Sequence, residues 1–219
     1  EGLGLEQEIA ALTDAAMAGE IDLNEVYGAR LELLRPTERS VSELRNAYKR
    51  HEVPGAREVI SALQEISIEV YIVSGGLVEP VAEFAVHLGI DAKNVRGVEA
   101  RFDALSGDWW RQEPGTGDFA GFEAGALTRT DGKPEVIREL LASKSGPSLL
   151  VGDGASDERA ASAVDLFVGF GGVVRRPRIA DTAPVYITAP SLAPVLPIAA
   201  GPTGRARLTS ARALQTFAQ

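Results

Sequence analysis

After Pro54-Gly55 the sequence becomes a regular alternation of helical segments and short apolar runs. The run Ile68–Val73 is apolar except at Glu69, and it follows a helical segment at Ala56–Gln64. Shorter apolar runs follow at Ser148–Val151, Leu166–Val168 and Val185–Ile187. Nearly continuous apolar runs are typical of strands buried on both faces of a parallel sheet. Because alternating strands and helices join such strands by right-handed crossovers, the sequence predicts an α/β fold built on a parallel sheet.

The chain divides into three predicted parts. Residues 3–52 carry apolar stripes at helical spacing, with one helix predicted from a Ser40 cap to Lys49, and they predict a small helical domain. Residues 53–200 hold the strand–helix units, with irregular strands or a hairpin over Asn94–Glu123. Residues 201–219 are rich in arginine and form a predicted C-terminal extension, either disordered or helical from Leu208 to Phe217.

Charge and composition restrict the partners and the compartment. The 219 residues have a formal net charge of −9 and contain no cysteine. This charge disfavours nucleic acids and anionic membranes, and no apolar run approaches the ~18 residues of a membrane span. The absence of thiols suits a reducing compartment, so we expect a cytoplasmic protein. A small phosphorylated substrate remains compatible, because a local cation and a metal ion outweigh the global field.

Ser74 and Gly75 follow the predicted strand Ile68–Val73, at the edge where parallel sheets bind ligands. A hydroxyl and backbone N–H groups at the start of the next helix can hold phosphate oxygens. The alternative is that Ser74-Gly75-Gly76 is only a tight turn.

The segment Gly152–Asp157 follows the predicted strand Ser148–Val151 and contains two carboxylates four residues apart. Its glycines permit close approach of the backbone, and Asp153 and Asp157 are the kind of oxygen ligands that Mg²⁺ prefers. The alternative is a turn in which Asp157 merely caps the following helix.

Lys133 directly precedes Pro134, the predicted first residue of a helix that ends near Ser143. A cation at this position opposes the helix dipole. Neutralising a phosphate and a nearby carboxylate would explain the placement, whereas the alternative is a solvated surface lysine.

These three motifs together resemble the haloacid dehalogenase superfamily, and most closely its phosphoserine phosphatase branch. The branch pattern Val-Ser-Gly-Gly appears at Val73–Gly76, Gly-Lys at Gly132-Lys133 and Val-Gly-Asp-Gly-Ala-x-Asp at Val151–Asp157. The resemblance extends over roughly residues 1–196. It implies a Rossmann-like core with a small helical cap, formed by residues 3–52, inserted near the N-terminus.

The resemblance also implies roles for individual residues. Ser74 and Gly75 would bind the phosphoryl group, Lys133 would steady the phosphate and the nucleophile, and Asp153 and Asp157 would serve the Mg²⁺ site. In the cap, residues that match the substrate-binding positions of the branch are Glu1 for the substrate amine, Met17 within Ala16–Gly19, and Arg30 for the substrate carboxylate. The plain alternatives are that Met17 is a core residue and that Arg30 is a surface arginine.

One family motif does not occur in these 219 residues. The resemblance implies an apolar strand ending in Asp-x-Asp-x-Thr, whose first Asp is the nucleophile and whose second is the general acid and base. Asp14 and Asp103 do not end apolar strands, whereas Glu1-Gly2 matches the residues that lie shortly after this motif in the family. We hypothesise that the parent protein begins about ten to twenty residues upstream and that the first core strand is missing here. An in-frame stop codon directly before Glu1 would refute this hypothesis.

The implied function is Mg²⁺-dependent hydrolysis of O-phospho-L-serine to L-serine and phosphate, a step of serine biosynthesis, through an aspartyl-phosphate. We expect the 219 residues alone to be inactive. One alternative is the same chemistry on another small phosphomonoester, because Leu23 stands where the branch commonly has Phe. The other is a non-catalytic module that binds Mg²⁺ or phosphate. A receiver-type phosphoacceptor fits poorly, because the helical insert is too large.

Overall fold

A computed structural model describes residues 11–18, 20, 21, 28, 31, 36–103 and 118–218 of the chain. Residues 11–18 form helix α1, and Glu38–Arg50 form helix α2. The predicted Ser40 cap is wrong. Thr37 has the extended backbone of an N-cap, and its hydroxyl oxygen accepts the amide proton of Ser40 at 3.1 Å.

The remaining helices and strands alternate along the chain. In order, they are α3 (Ala56–Glu65), β1 (Ile72–Leu77), α4 (Val78–His87), β2 (Val95–Val98), β3 (Ala100–Asp103), β4 (Asp118–Phe122), α5 (Lys133–Leu141), β5 (Leu149–Gly152), α6 (Ala155–Ala160), β6 (Leu166–Phe170), α7 (Pro177–Thr182), β7 (Val185–Ile187), α8 (Val195–Arg205) and α9 (Ala211–Phe217).

The strands form two parallel sheets and one antiparallel hairpin. Strand β1 pairs with β2 in one parallel sheet, and β5, β6 and β7 pair in that order in the other. Strands β3 and β4 pair antiparallel, as expected for a hairpin in this part of the chain. The predicted α/β class with parallel strands is therefore confirmed.

The predicted strand Ile68–Val73 is placed too early. The sheet hydrogen bonds begin at Ile72, which lies opposite Val95, and they end at Leu77, which lies opposite Val98. Only from Ile72 onward does the chain run beside β2, so Ser74 and Gly75 lie inside β1 rather than in a loop after it. The apolar residues before β1 pack into the core without belonging to a strand.

Burial differs between the strands. The central strand β6 is almost entirely buried, whereas β1 and β5, each with one strand neighbour among the described residues, are half-buried. Ile68 and Val70, which lead into β1, pack against the same apolar cluster as Leu149 and Val151 of β5. The segment that leads into β1 therefore shares a core with β5, while Ile72 and Val73 of β1 pack in separate apolar clusters.

Helix α3 and the C-terminal helices form the base of this core. Leu196 of α8 and Ala213 of α9 belong to the same apolar cluster as Ile66, which follows α3. The carboxylate of Glu65 accepts hydrogen bonds from the backbone and hydroxyl groups of Thr209 and Ser210, ahead of α9. The predicted boundary between residues 200 and 201 falls within α8, next to a kink at Gly201. The division into residues 3–52, 53–200 and 201–219 stays a prediction.

Within the described ranges, none of the helices combines the length and the apolar character that crossing a bilayer requires.

Candidate functional site

The loop after β5 folds its second carboxylate back over the end of the strand. Strand β5 ends at Gly152, and Gly154 is the N-cap of α6. Asp157 lies in the first turn of that helix, and its side chain reaches back to the N-cap amide. A Cβ atom on Gly152 would lie 2.3 Å from the side chain of Asp157, so a larger residue at position 152 would displace this carboxylate.

Asp157 forms a buried ion pair with Lys133. The lysine Nζ donates to Asp157 Oδ1 at 2.7 Å, and each side chain is 11% exposed. The other oxygen, Oδ2, accepts the amide proton of Gly154 at 3.2 Å. Gly132, directly before Lys133, packs against the backbone of Ala126, where a Cβ would overlap the carbonyl. The lysine that opposes the helix dipole is therefore held beside the Asp157 carboxylate and is not a solvated surface residue.

Asp153 is a partly desolvated carboxylate beside a second acidic group. Burial raises the pKa of Asp153, the charge of Asp157 raises it further, and the charges of Arg176 and Lys133 oppose both effects. A cation at Asp153 would offset the cost of keeping this carboxylate charged.

Ser74 lies in β1, in the other parallel sheet. Its hydroxyl oxygen accepts the amide proton of Gly76 at 3.0 Å, and a hydroxyl that accepts can still donate its own proton to a phosphate oxygen. Gly75 follows it within β1. Strand β1 contacts α5, the helix that begins with Lys133, and α5 also contacts α6, which carries Asp157. Helix α5 thus connects the two predicted halves of the site.

Helix α1 contacts the acidic loop, the segment Gly152–Asp157, through Met17. A Cβ on Gly154 would lie 2.6 Å from Met17 Cε, so the thioether of α1 rests directly on this glycine. Met17 is thus next to the predicted metal-binding loop rather than in a separate core. Glu1 and Arg30 lie outside the described residues, and their roles stay predictions.

The acidic side chains fit Mg²⁺ in part. No group of three or more His, Cys, Asp or Glu side chains arranged for a metal ion occurs among the described residues. Both oxygens of Asp157 already accept hydrogen bonds, whereas the partly desolvated carboxylate of Asp153 suits a hard cation. Asp153 is therefore the candidate direct ligand, and Asp157 is the candidate for fixing the loop and the lysine.

Sequence reasoning missed Arg176 and Asp14. The guanidinium of Arg176 lies 3.8 Å from Asp153 Oδ2 and 3.6 Å from Asp14 Oδ1 of α1. The signal was the one that identified Lys133: a cation directly before a proline that starts a helix, here Pro177. It was overlooked because adjacent arginines at positions 175 and 176 are typical of an exposed basic turn.

Two comparisons with known sequences bear on this site. Phosphoserine phosphatases of Bos taurus and Homo sapiens are each 33% identical to this chain over 187 residues, covering 84% of this chain and 78% of the relative. The phosphoserine phosphatase of Drosophila melanogaster is 31% identical over 191 residues, covering 86% and 67%. No family model matches the chain.

Solved structures share the fold. A phosphoserine phosphohydrolase-like protein from Francisella tularensis superimposes with a TM-score of 0.73 at 22% identity, over 85% of this chain and 82% of its own. A phosphoserine phosphatase solved as a phospho-aspartyl intermediate analogue superimposes with a TM-score of 0.72 at 22% identity, over 89% and 86%. Both matches extend over the greater part of the chain.

Proposed function

Since this chain belongs to the phosphoserine phosphatases, a family of phosphomonoester hydrolases within the haloacid dehalogenase superfamily, we propose that the protein of which it forms the greater part hydrolyses O-phospho-L-serine to L-serine and phosphate. The observation that carries the proposal is the buried ion pair between Lys133 and Asp157 beside the desolvated Asp153. A partly desolvated carboxylate whose pKa is raised, beside a buried ion pair, is typical of a site that binds a charged ligand.

Lys133 positions and neutralises the transferring phosphoryl group in this proposal. Its ammonium is buried and fixed by Asp157, so it need not reorganise when negative charge develops on the phosphate oxygens. Ser74 donates its hydroxyl proton to a second phosphate oxygen, and the backbone of Gly75 lies beside it in β1. One donor from the start of α5 and one from β1 would hold the phosphate in one orientation for in-line attack.

Asp153 would hold Mg²⁺, with Asp157 supporting the loop through Gly154 and Lys133. When bound, the ion supplies Lewis-acid stabilisation of the phosphate charge. A divalent cation also offsets the repulsion between phosphate and the two carboxylates. The cap residues Met17 and, by resemblance, Arg30 and Glu1 would close over the substrate and recognise its amino-acid part.

The nucleophile is proposed to come from a strand outside these 219 residues, because no Asp-x-Asp-x-Thr occurs in them. Strands β1 and β5 are each half-buried and have one strand neighbour among the described residues, and the residues Ile68 and Val70 just before β1 pack in the same apolar cluster as β5. A further parallel strand between them would complete the sheet and bring its carboxyl end beside Ser74 and Asp153. The first Asp of that strand would attack phosphorus as the bond from phosphorus to the serine oxygen breaks, and the second Asp would protonate that leaving oxygen. Water, deprotonated by the second Asp, would then cleave the aspartyl-phosphate and release phosphate.

Phosphate release tests the proposal. The 219-residue chain and a chain extended by its upstream coding sequence are assayed with Mg²⁺ on O-phospho-L-serine and on a panel of sugar and alcohol phosphates. We expect turnover only by the extended chain, lost on chelation of Mg²⁺ and highest with O-phospho-L-serine.

Three results would contradict parts of the proposal. Mg²⁺-dependent turnover by the 219 residues alone would refute the mechanism. Preference for another phosphate ester would correct the substrate. Binding of Mg²⁺ and phosphate by the extended chain without turnover would support a non-catalytic module, the alternative that the missing motif favours.

A further inference from the structure

Arg176 lies between two carboxylates: that of Asp153, in the loop after β5, and that of Asp14, in helix α1. Its Nε is 3.8 Å from Asp153 Oδ2, and its Nη2 is 3.6 Å from Asp14 Oδ1. Both distances are too long for hydrogen bonds, and the buried Nε has no hydrogen-bond partner among the described residues. The guanidinium is therefore shared by two acids, and neither holds it tightly.

The backbone that carries Arg176 is anchored on the core. Arg176 is the N-cap of α7, whose Ile179 is only 1% exposed. Arg178, two residues further, donates from Nε to Glu158 of α6 at 2.6 Å. Because the base of the side chain is fixed, a shift of the guanidinium toward one acid is a shift away from the other.

Helix α1 has two contacts with the region around Asp153. Met17 rests on Gly154, and Asp14 reaches Arg176. Asp14 is 73% exposed, so its attraction to Arg176 is screened by solvent and weak on its own. A weak contact of this kind can respond to a change of charge nearby.

We propose that Arg176 is a positioning residue that couples cation binding at Asp153 to the docking of α1 over the acidic loop. The proposal rests on the proposed function in one respect, the role of Asp153 as the cation ligand. When a cation takes the Asp153 carboxylate, the attraction between that carboxylate and Arg176 weakens and the guanidinium is repelled toward Asp14. Helix α1 is then held more firmly, with Met17 closed on Gly154, when the site is loaded.

The first test is titration of the extended chain with Mn²⁺. This ion stands in for Mg²⁺ and is detected directly by electron paramagnetic resonance. R176Q removes a competing cation, so its Kd for Mn²⁺ falls by about tenfold. D14N leaves Arg176 to Asp153 alone, so the Kd rises by about threefold. In R176Q, adding D14N has no further effect, because Asp14 acts through Arg176.

The matched control is R175Q. Arg175 is the exposed neighbour of Arg176, so this variant removes the same charge from the same turn. Its Kd stays within about twofold of the wild type, because an exposed charge is screened. R176K retains the positive charge without the planar guanidinium group. Adding D14N to R176K should therefore raise the Kd for Mn²⁺, but by less than D14N raises it in the wild type.

Amide hydrogen exchange gives the second readout. If Arg176 had only a structural role, substituting it would not change how Mn²⁺ affects the exchange rates. Mn²⁺ should slow amide exchange in residues 11–18 of the wild type and leave it unchanged in R176Q and D14N. Because Asp14 is largely exposed, D14N should fold normally, so it decides the matter if R176Q is unstable.

The outcomes separate the two proposals. If D14N weakens Mn²⁺ binding equally with and without Arg176, the effect is general electrostatics and the coupling is refuted, while the metal site stands. If Mn²⁺ binds and exchange in residues 11–18 does not respond, the coupling is likewise refuted. If neither the wild type nor R176Q binds Mn²⁺, the metal role of Asp153 fails and the coupling fails with it.

Discussion

The two parallel sheets differ in what they contribute to the site. The sheet of β5, β6 and β7 carries the acidic loop, and its central strand is buried with Val168 fully inaccessible. The sheet of β1 and β2 carries Ser74, and β1 is half-buried along most of its length. One sheet thus provides the two carboxylates of the site next to a buried strand, and the other provides a neutral hydroxyl on a less buried strand.

This difference arises from the cost of burying charge. Lys133 and Asp157 can be buried only because they pair with each other, and the placement of the Asp157 side chain needs a glycine at position 152. Ser74 is neutral, so its burial does not require an ion-pair partner. We therefore expect substitutions of the charged residues Lys133, Asp153 and Asp157 to affect activity and stability more than substitutions in β1.

We expect the largest effects on kcat from Asp153, after β5, and Ser74, in β1, when each is substituted in the extended chain. Asp153→Asn should lower kcat by about 10³-fold, because the cation loses its charged ligand. Ser74→Ala should lower kcat by about 10²-fold, because one phosphate donor is lost. Steady-state phosphate release measures both. A larger loss for Ser74→Ala would reverse the comparison.

The buried ion pair predicts a large effect on stability. Lys133→Met should lower the free energy of unfolding by about 3 kcal/mol, because it leaves the Asp157 charge buried without its partner. Lys144→Met is the control: Lys144 pairs with Glu69 at 2.6 Å, and both side chains are well exposed, so the loss should be below about 0.5 kcal/mol. Urea denaturation measures the difference. Equal losses in the two variants would mean that burial of the first pair is not significant.

A matched pair of valines compares the two sheets directly. Val168→Ala in β6 should lower the free energy of unfolding by about 2 kcal/mol, and Val73→Ala in β1 by about 1 kcal/mol, because less apolar surface is lost at the half-buried position. Thermal and urea unfolding give both values. If a strand pairs beside β1 in the extended chain, the cost of Val73→Ala should rise toward that of Val168→Ala.

The smallest expected effect lies in the base shared by both sheets. Hydrogen bonds from Thr209 and Ser210 lower the pKa of Glu65 from 4.5 to about 2. This carboxylate therefore stabilises the docking of α9 at neutral pH, and the contribution is lost as the pH falls from about 4.5 toward 2. The difference in urea midpoint between the wild type and Glu65→Gln should be constant above pH of about 5 and vanish near pH 2. A difference that persists unchanged at pH 2 would show that the charge is not responsible.

Much of the fold could be predicted from the sequence, because apolar periodicity reports burial. The strands β5, β6 and β7 and the helix α3 lie within a few residues of their predicted positions. The start of β1 was misplaced because apolar character reports burial and not hydrogen bonding, and residues 68–71 are packed without a strand partner. Ser40 and Thr37 both have hydroxyl side chains that can cap a helix, and only the backbone angles show that Thr37 is the N-cap.

The site was predictable where a residue violated a local preference. Lys133 at a helix start and glycines beside acids indicated an ion-binding cluster, and the structure brings Lys133, Asp157 and Met17 to one loop. The link between Arg176 and Asp14 joins positions 162 residues apart, and no local pattern in a single sequence encodes such a pair.

The central claim is that Lys133, at the start of α5, and Ser74, in β1, bind the same phosphate beside a cation on Asp153. The most direct measurement is a crystal structure of the full-length protein with Mg²⁺ and inorganic phosphate. The account predicts phosphate oxygens within hydrogen-bond distance of both Lys133 Nζ and Ser74 Oγ, with the cation on Asp153. Phosphate bound by only one of these two side chains, or a cation away from Asp153, would contradict it.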